Sequence, residues 1–131
     1  MTTLIVDANV VFTMVAAPDG LALVEGEEAA APPLLRSEVR SALHVARWRG
    51  LLEDEDARRA LDLLESGAIG ERRHRRLGAE TWRIADELGW AKTYDAEYLA
   101  LASLLSVPLA TFDRRVLRAA ETLGIATRTY T

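Results

Sequence analysis

The chain has 131 residues, half of them hydrophobic and 27% charged, which is the size and make-up of one globular domain, expected to span residues 1–131. It has no cysteine, which excludes a disulfide framework and thiolate zinc sites and fits a reducing cytoplasm. A net charge of −4 argues against nucleic-acid binding by the surface as a whole, so such a role would need a local basic patch.

Thr3 to Val6 is a short β-branched and apolar run that reads as a buried strand, ended by Asp7. The opening residues lack both the basic segment and the apolar stretch of a signal peptide, so none is expected. No apolar run approaches the roughly 20 residues of a membrane helix. Ala8 to Ala17 follows as a helix that Pro18-Asp19-Gly20 breaks. Leu21 to Gly26 reads as a second short helix, and Glu28 to Ala31 as a strand stopped by Pro32-Pro33. From Pro33, a good first-turn residue, a helix is expected to run to about Arg49, with Leu35, Val39, Ala42, Leu43 and Ala46 on its apolar stripe. Glu53 to Leu64 is the next helix, its acidic start suited to the helix dipole. Ser66 to Arg76 is ambiguous. Leu77 to Leu88 is helical, and Tyr98, Leu99, Ala102 and Leu105 mark a helix after Asp95. Val107 to Phe112 reads as a buried strand, Arg114 to Leu123 as a helix and Ala126 to Tyr130 as a last strand. Strands alternating with helices predict an α/β fold. It would be a three-layer α/β/α arrangement with a mainly parallel central sheet of four or five strands.

Ligands in such sheets bind at the carboxyl ends of the strands. Asp7 directly follows the first strand and Asp113 follows the Leu109-Ala110-Thr111 strand by one residue, which places both at that edge if the strands are parallel. Asp95 starts a helix after a loop, and Glu38 lies on or beside the apolar face of its helix. Each has a plain structural explanation: the three aspartates precede helices and can serve as N-caps, and Glu38 can pair with Arg36 or Arg40. Together they form an all-oxygen donor set of the kind Mg²⁺ takes, and four close carboxylates repel one another without a cation.

Leu4-Ile5-Val6-Asp7-Ala8-Asn9-Val10 resembles the opening of PIN domains, and Pro32 to Leu43 resembles that family's second acidic motif. The longest match is Thr93-Tyr94-Asp95-Ala96-Glu97-Tyr98-Leu99-Ala100-Leu101-Ala102, continuing through Val107 to Arg115. The pattern is most similar to the VapC toxins of VapBC toxin–antitoxin pairs. The resemblance implies a metal-dependent endoribonuclease using Mg²⁺ or Mn²⁺. Asp7, Glu38, Asp95 and Asp113 would be its catalytic and metal-binding quartet, and Thr111 the small polar residue near the fourth acid. Asn9 stands where Ser or Thr is often found and still offers hydrogen bonds to the metal's surroundings. The resemblance also implies a homodimer and a cognate VapB-like antitoxin whose C-terminal segment lies over the active site.

RNA must approach an acidic site against repulsion. Arg72, Arg73, Arg75 and Arg76 are the candidate phosphate contacts, with a solvated loop as the plain alternative. Trp48, Trp82 and Trp90, with Leu51 and Leu52 nearby, suit a dimer surface. His44 and His74, the only histidines, stand in no motif, so an acid–base histidine pair is not expected. Three other readings compete. A haloacid-dehalogenase-type phosphatase needs a second Asp where Asn9 stands. A phosphate-accepting receiver domain needs an acidic pair and a late lysine, and both are missing. A non-catalytic PIN scaffold binding RNA or protein sits poorly with four intact acids.

Overall fold

β1 (Thr2–Val6) carries Leu4, Ile5 and Val6 with no exposed surface, the continuous apolar run required of a strand covered on both faces. It is the central strand of the computed structural model, which describes residues 1–130. Beyond β1 come α1 (Ala8–Ala16), β2 (Glu27–Ala31), α2 (Leu34–Trp48), α3 (Asp54–Glu65) and β3 (Gly70–Glu71). α4 (Leu77–Leu88), α5 (Tyr94–Leu105), β4 (Leu109–Ala110), α6 (Arg114–Leu123) and β5 (Thr127–Arg128) complete the described residues. The five strands pair in the order β3-β2-β1-β4-β5, and every pairing is parallel.

Helices occupy the outer layers of this α/β/α sandwich. α1, α2 and α3 pack on one another, while α5 packs on β1, β4, α4 and α6. α5 is the most apolar of the later helices: Ala96 and Tyr98 to Ala102 are all buried, as expected of a helix enclosed by neighbours. α4 and α6 end at Gly89 and Gly124, whose φ of 70° and 73° fall in the left-handed region where glycine carries no steric penalty.

The structure corrects or sharpens the sequence expectations at four places. The short helix expected over Leu21 to Gly26 is a 3₁₀ helix over Gly20–Val24. The chain doubles back tightly there, and a Cβ on Gly20 would lie 2.2 Å from the carbonyl oxygen of Met14. The last two strands are shorter than their apolar runs. Val107 N–H donates to Ala102 O at 3.0 Å, which turns the residue into the end of α5 rather than into the sheet. The ambiguous Ser66–Arg76 segment holds the edge strand β3, with Gly70 opposite Ala30. Ala42 is exposed and outside the buried stripe of α2, which consists of Leu35, Val39 and Leu43.

Candidate active site

The chain passes from β1 to β2 to β3 across one half of the sheet, then crosses to β4 on the other side of β1. That reversal opens a crevice at the carboxyl ends of β1 and β4. Asp7 is the first residue beyond β1, and Thr111 to Asp113 follow β4. Val6 lies opposite Ala110, and Asp7 N–H donates to Ala110 O at 3.2 Å, so the two segments enter the crevice side by side.

Asp7 is buried and caps α1, its Oδ1 accepting from Val10 N–H at 3.1 Å. Burial pushes its carboxyl above the usual range, and the charges of Asp95 and Asp113 push the same way. The Thr111 hydroxyl and Val10 N–H act against the shift. Three of the four acids therefore share one electrostatic neighbourhood. Asp113 caps α6, its Oδ1 accepting from Arg115 N–H at 2.8 Å and Val116 N–H at 3.4 Å. Thr111 is wholly buried, and its Oγ1 accepts from Asp113 N–H at 3.0 Å. One hydroxyl thus sits between the two strand-end acids.

Asp95 is inside α5 rather than ahead of it, and Thr93 is the residue at the N-cap position. Capping therefore accounts for Asp7 and Asp113 but not for Asp95. Its Oδ2 accepts from Arg115 Nη2 at 2.8 Å. That guanidinium lies 4.3 Å from the centre of the ring of Trp90, a partly buried side chain.

Glu38 pairs with neither Arg36 nor Arg40. Arg40 binds Glu65 at 2.6 Å, and Arg36 donates to Ile69 O at 3.4 Å. Instead Glu38 Oε1 accepts from the hydroxyl of Tyr98, 60 residues away, at 2.5 Å. Tyr98 is almost wholly buried. Burial, the bond to Glu38, and the charges of Glu38, Asp7 and Glu97 all raise its pKa, so its hydroxyl stays protonated as a donor. Half-buried Glu97 also has a raised pKa, from burial first and then from Glu38.

Sequence reading gave no role to Tyr98, Arg115 or Glu97. A signal for Tyr98 existed: it stands three residues after Asp95, one turn along the same helix face, and a charge beside an apolar stripe needs a donor. Among the described residues, Asn9 is exposed and its side chain has no hydrogen-bond partner; only its carbonyl accepts, from Thr13 Oγ1 at 3.1 Å. The basic run follows β3 at the same sheet edge, where Arg72 N–H donates to Ala31 O at 2.9 Å. Arg73 is 3.1 Å from Glu71 and Arg72 4.0 Å from Glu28. Arg75 and Arg76 are exposed, with no carboxylate within salt-bridge distance among the described residues. His74 Nδ1 accepts from Arg76 N–H at 3.0 Å, and His44 is exposed on α2 with its Nε2 3.2 Å from Arg47 Nη2.

A hard divalent cation suits this donor set, which offers carboxylate oxygens and no sulfur or imidazole. In the arrangement described, however, no three such side chains close on a single point.

An acidic crevice at the switch point of a parallel sheet defines an α/β domain with a carboxylate site. The model of the PIN domain matches residues 4–122, and the chain belongs to the PIN domain family. Membership removes the phosphatase and receiver alternatives. Ribonuclease VapC1 of Mycobacterium tuberculosis is 40% identical over 87 residues, covering 66% of this chain and 63% of that protein. The match thus spans less than two thirds of that relative. The crystal structure of PAE2754 from Pyrobaculum aerophilum superposes with a TM-score of 0.74 at 26% identity, over 96% of this chain and 90% of that one. VapBC-1 from nontypeable Haemophilus influenzae shares the fold, with a TM-score of 0.63 at 14% identity over 98% of each chain.

Proposed function

We propose that this protein is a metal-dependent endoribonuclease, the toxin of a type II toxin–antitoxin pair, acting in the cytoplasm. The observation that supports the reading is the placement of the acids: Asp7 and Asp113 follow the paired strands β1 and β4, the charges of Asp95 and Asp113 act on Asp7, and Tyr98 binds Glu38. Support comes from the PIN family and from a relative that bears the name ribonuclease.

In this reading Asp7 and Asp113 are the primary ligands of Mg²⁺ or Mn²⁺, and Glu38 and Asp95 complete the shell, partly through water. The bound cation supplies an activated water and neutralises charge on the scissile phosphate. Thr111 orients Asp113 through its backbone and touches Asp7, and Tyr98 fixes Glu38 by a charge-assisted bond. Asn9 borders the crevice from the first turn of α1. Arg72, Arg73, Arg75 and Arg76 extend along the sheet edge and take RNA phosphates, offsetting the acidic site. Exposed Trp48, Leu51 and Trp82 give the apolar surface for a homodimer. The antitoxin is VapB-like and sets a basic side chain against Asp7 and Asp113. No helix among the described residues is long and apolar enough to cross a membrane.

The test is cleavage of structured and unstructured RNA by the purified protein with Mg²⁺ or Mn²⁺, with chelator, and with Asp7→Asn. Cleavage that needs the metal and is lost in the variant supports the reading. Cleavage unaffected by the variant removes Asp7 from the site, and RNA binding without cleavage favours a non-catalytic scaffold.

A further inference from the structure

Five carboxylates border the crevice: Asp7, Glu38, Asp95, Glu97 and Asp113. Among the described residues, only Asp95 has a basic nitrogen within 4.0 Å, and it belongs to Arg115. Arg115 holds two of the acids at once. Its side chain donates to Asp95 Oδ2 at 2.8 Å, and its backbone N–H donates to Asp113 Oδ1 at 2.8 Å. The guanidinium also lies 4.3 Å from the centre of the Trp90 ring, on a side chain that is 54% exposed. A cation over an aromatic face keeps favourable electrostatics when it gives up its carboxylate, so Trp90 offers Arg115 a second resting place.

Two features of the crevice then share one cause. The acids sit near enough to repel one another, yet no three of them close on a single ion. A cation is already seated on Asp95, 2.8 Å from its Oδ2. The geometry points to Arg115 as the resident counter-ion of the site, which a divalent cation must displace from Asp95 before the carboxylates can close. Arg115 is a positioning residue in this role. It offsets part of the negative charge of the metal-free crevice and makes metal uptake a competition between two cations. The inference rests on the metal-dependent reading above.

The experiment is isothermal titration calorimetry of Mn²⁺ into the wild type, Arg115→Gln and Arg115→Lys. Releasing Asp95 from an exposed ion pair should tighten the Mn²⁺ Kd of the Gln variant by about two- to fivefold. The Lys variant keeps the charge and should stay near the wild type. A second measurement leaves Arg115 in place: with Trp48→Phe and Trp82→Phe, both at exposed positions, Trp90 is the only tryptophan left. Mg²⁺ should change its fluorescence as the guanidinium moves, and the further change Arg115→Gln should abolish that response. Equal or weaker Mn²⁺ binding by Arg115→Gln, or Trp90 emission that ignores Mg²⁺ while the metal binds, would overturn the inference alone. Absence of metal binding in every protein would overturn the metal-dependent reading and this inference with it.

Discussion

Replacing Asp7 with Asn separates a metal ligand from a helix cap. Asn has nearly the same volume and can still accept from Val10 N–H, which Asp7 does at 3.1 Å, so the cap survives. What disappears is a buried negative charge that Asp95 and Asp113 oppose. Because its carboxyl is raised, the folded protein keeps the Asp7 proton at pH values above the usual 3.8, where the unfolded chain has released it. The folded state then binds more protons than the unfolded one, so stability falls as pH rises through that window. The metal-free Asn variant should therefore equal or exceed the wild type at pH 7, with the difference vanishing at lower pH, below both pKa values. Metal reverses the ranking. A hundredfold excess over Kd stabilises the wild type by about 2.7 kcal/mol. Unfolding entropy of about 2.1 cal/mol/K per residue over 131 residues turns that into a Tm rise of about 10 °C. Thermal melts with and without Mn²⁺ at pH 7, and without metal at a pH below 3.8, read both effects. The reasoning fails if metal-free Asp7→Asn is clearly destabilised at pH 7 and Mn²⁺ shifts both proteins equally.

Three further outcomes are expected. Tyr98→Phe keeps the ring but strips Glu38 of its donor, and RNA cleavage should fall by about 10- to 100-fold; wild-type rates would remove Tyr98 from the site. Changing Arg73 and Arg75 together to Gln should make the salt dependence of RNA binding shallower by about 1.4 in log–log slope, at roughly 0.7 per lost contact. An unchanged slope would leave the segment as solvated surface. Gly20→Ala should destabilise by about 1–3 kcal/mol in urea melts, because its Cβ would meet the Met14 backbone at 2.2 Å; a neutral effect would contradict the packing described.

The fold was legible where local pattern and environment agree. The apolar run of β1, the apolar stripe of α2 and the acidic start of α3 each carry their own signal. β3 carried none, because Gly70 and Glu71 have no strand propensity and extend only by pairing with the edge of β2. The ends of β4 and β5 were likewise set by partners rather than by composition. Asp7 and Asp113 could be placed at the sheet edge because Asp7 directly follows β1 and Asp113 stands three residues past the end of β4. The surroundings of Glu38 and Asp95 could not be placed. Tyr98 reads as core, and its hydroxyl reaches Glu38 only once α5 and α2 meet at the crevice. Arg115 reads as one more arginine until α6 brings it over Trp90.

The central claim is that carboxylates from β1, β4, α2 and α5 form one divalent metal site. Crystals soaked in Mn²⁺ test it through the anomalous difference map. The account predicts a peak beyond the carboxyl ends of β1 and β4, bound by Asp7 and Asp113, with Asp95 turned from Arg115 toward the ion. At saturating Mn²⁺, an empty crevice with Asp95 still on Arg115 would contradict it.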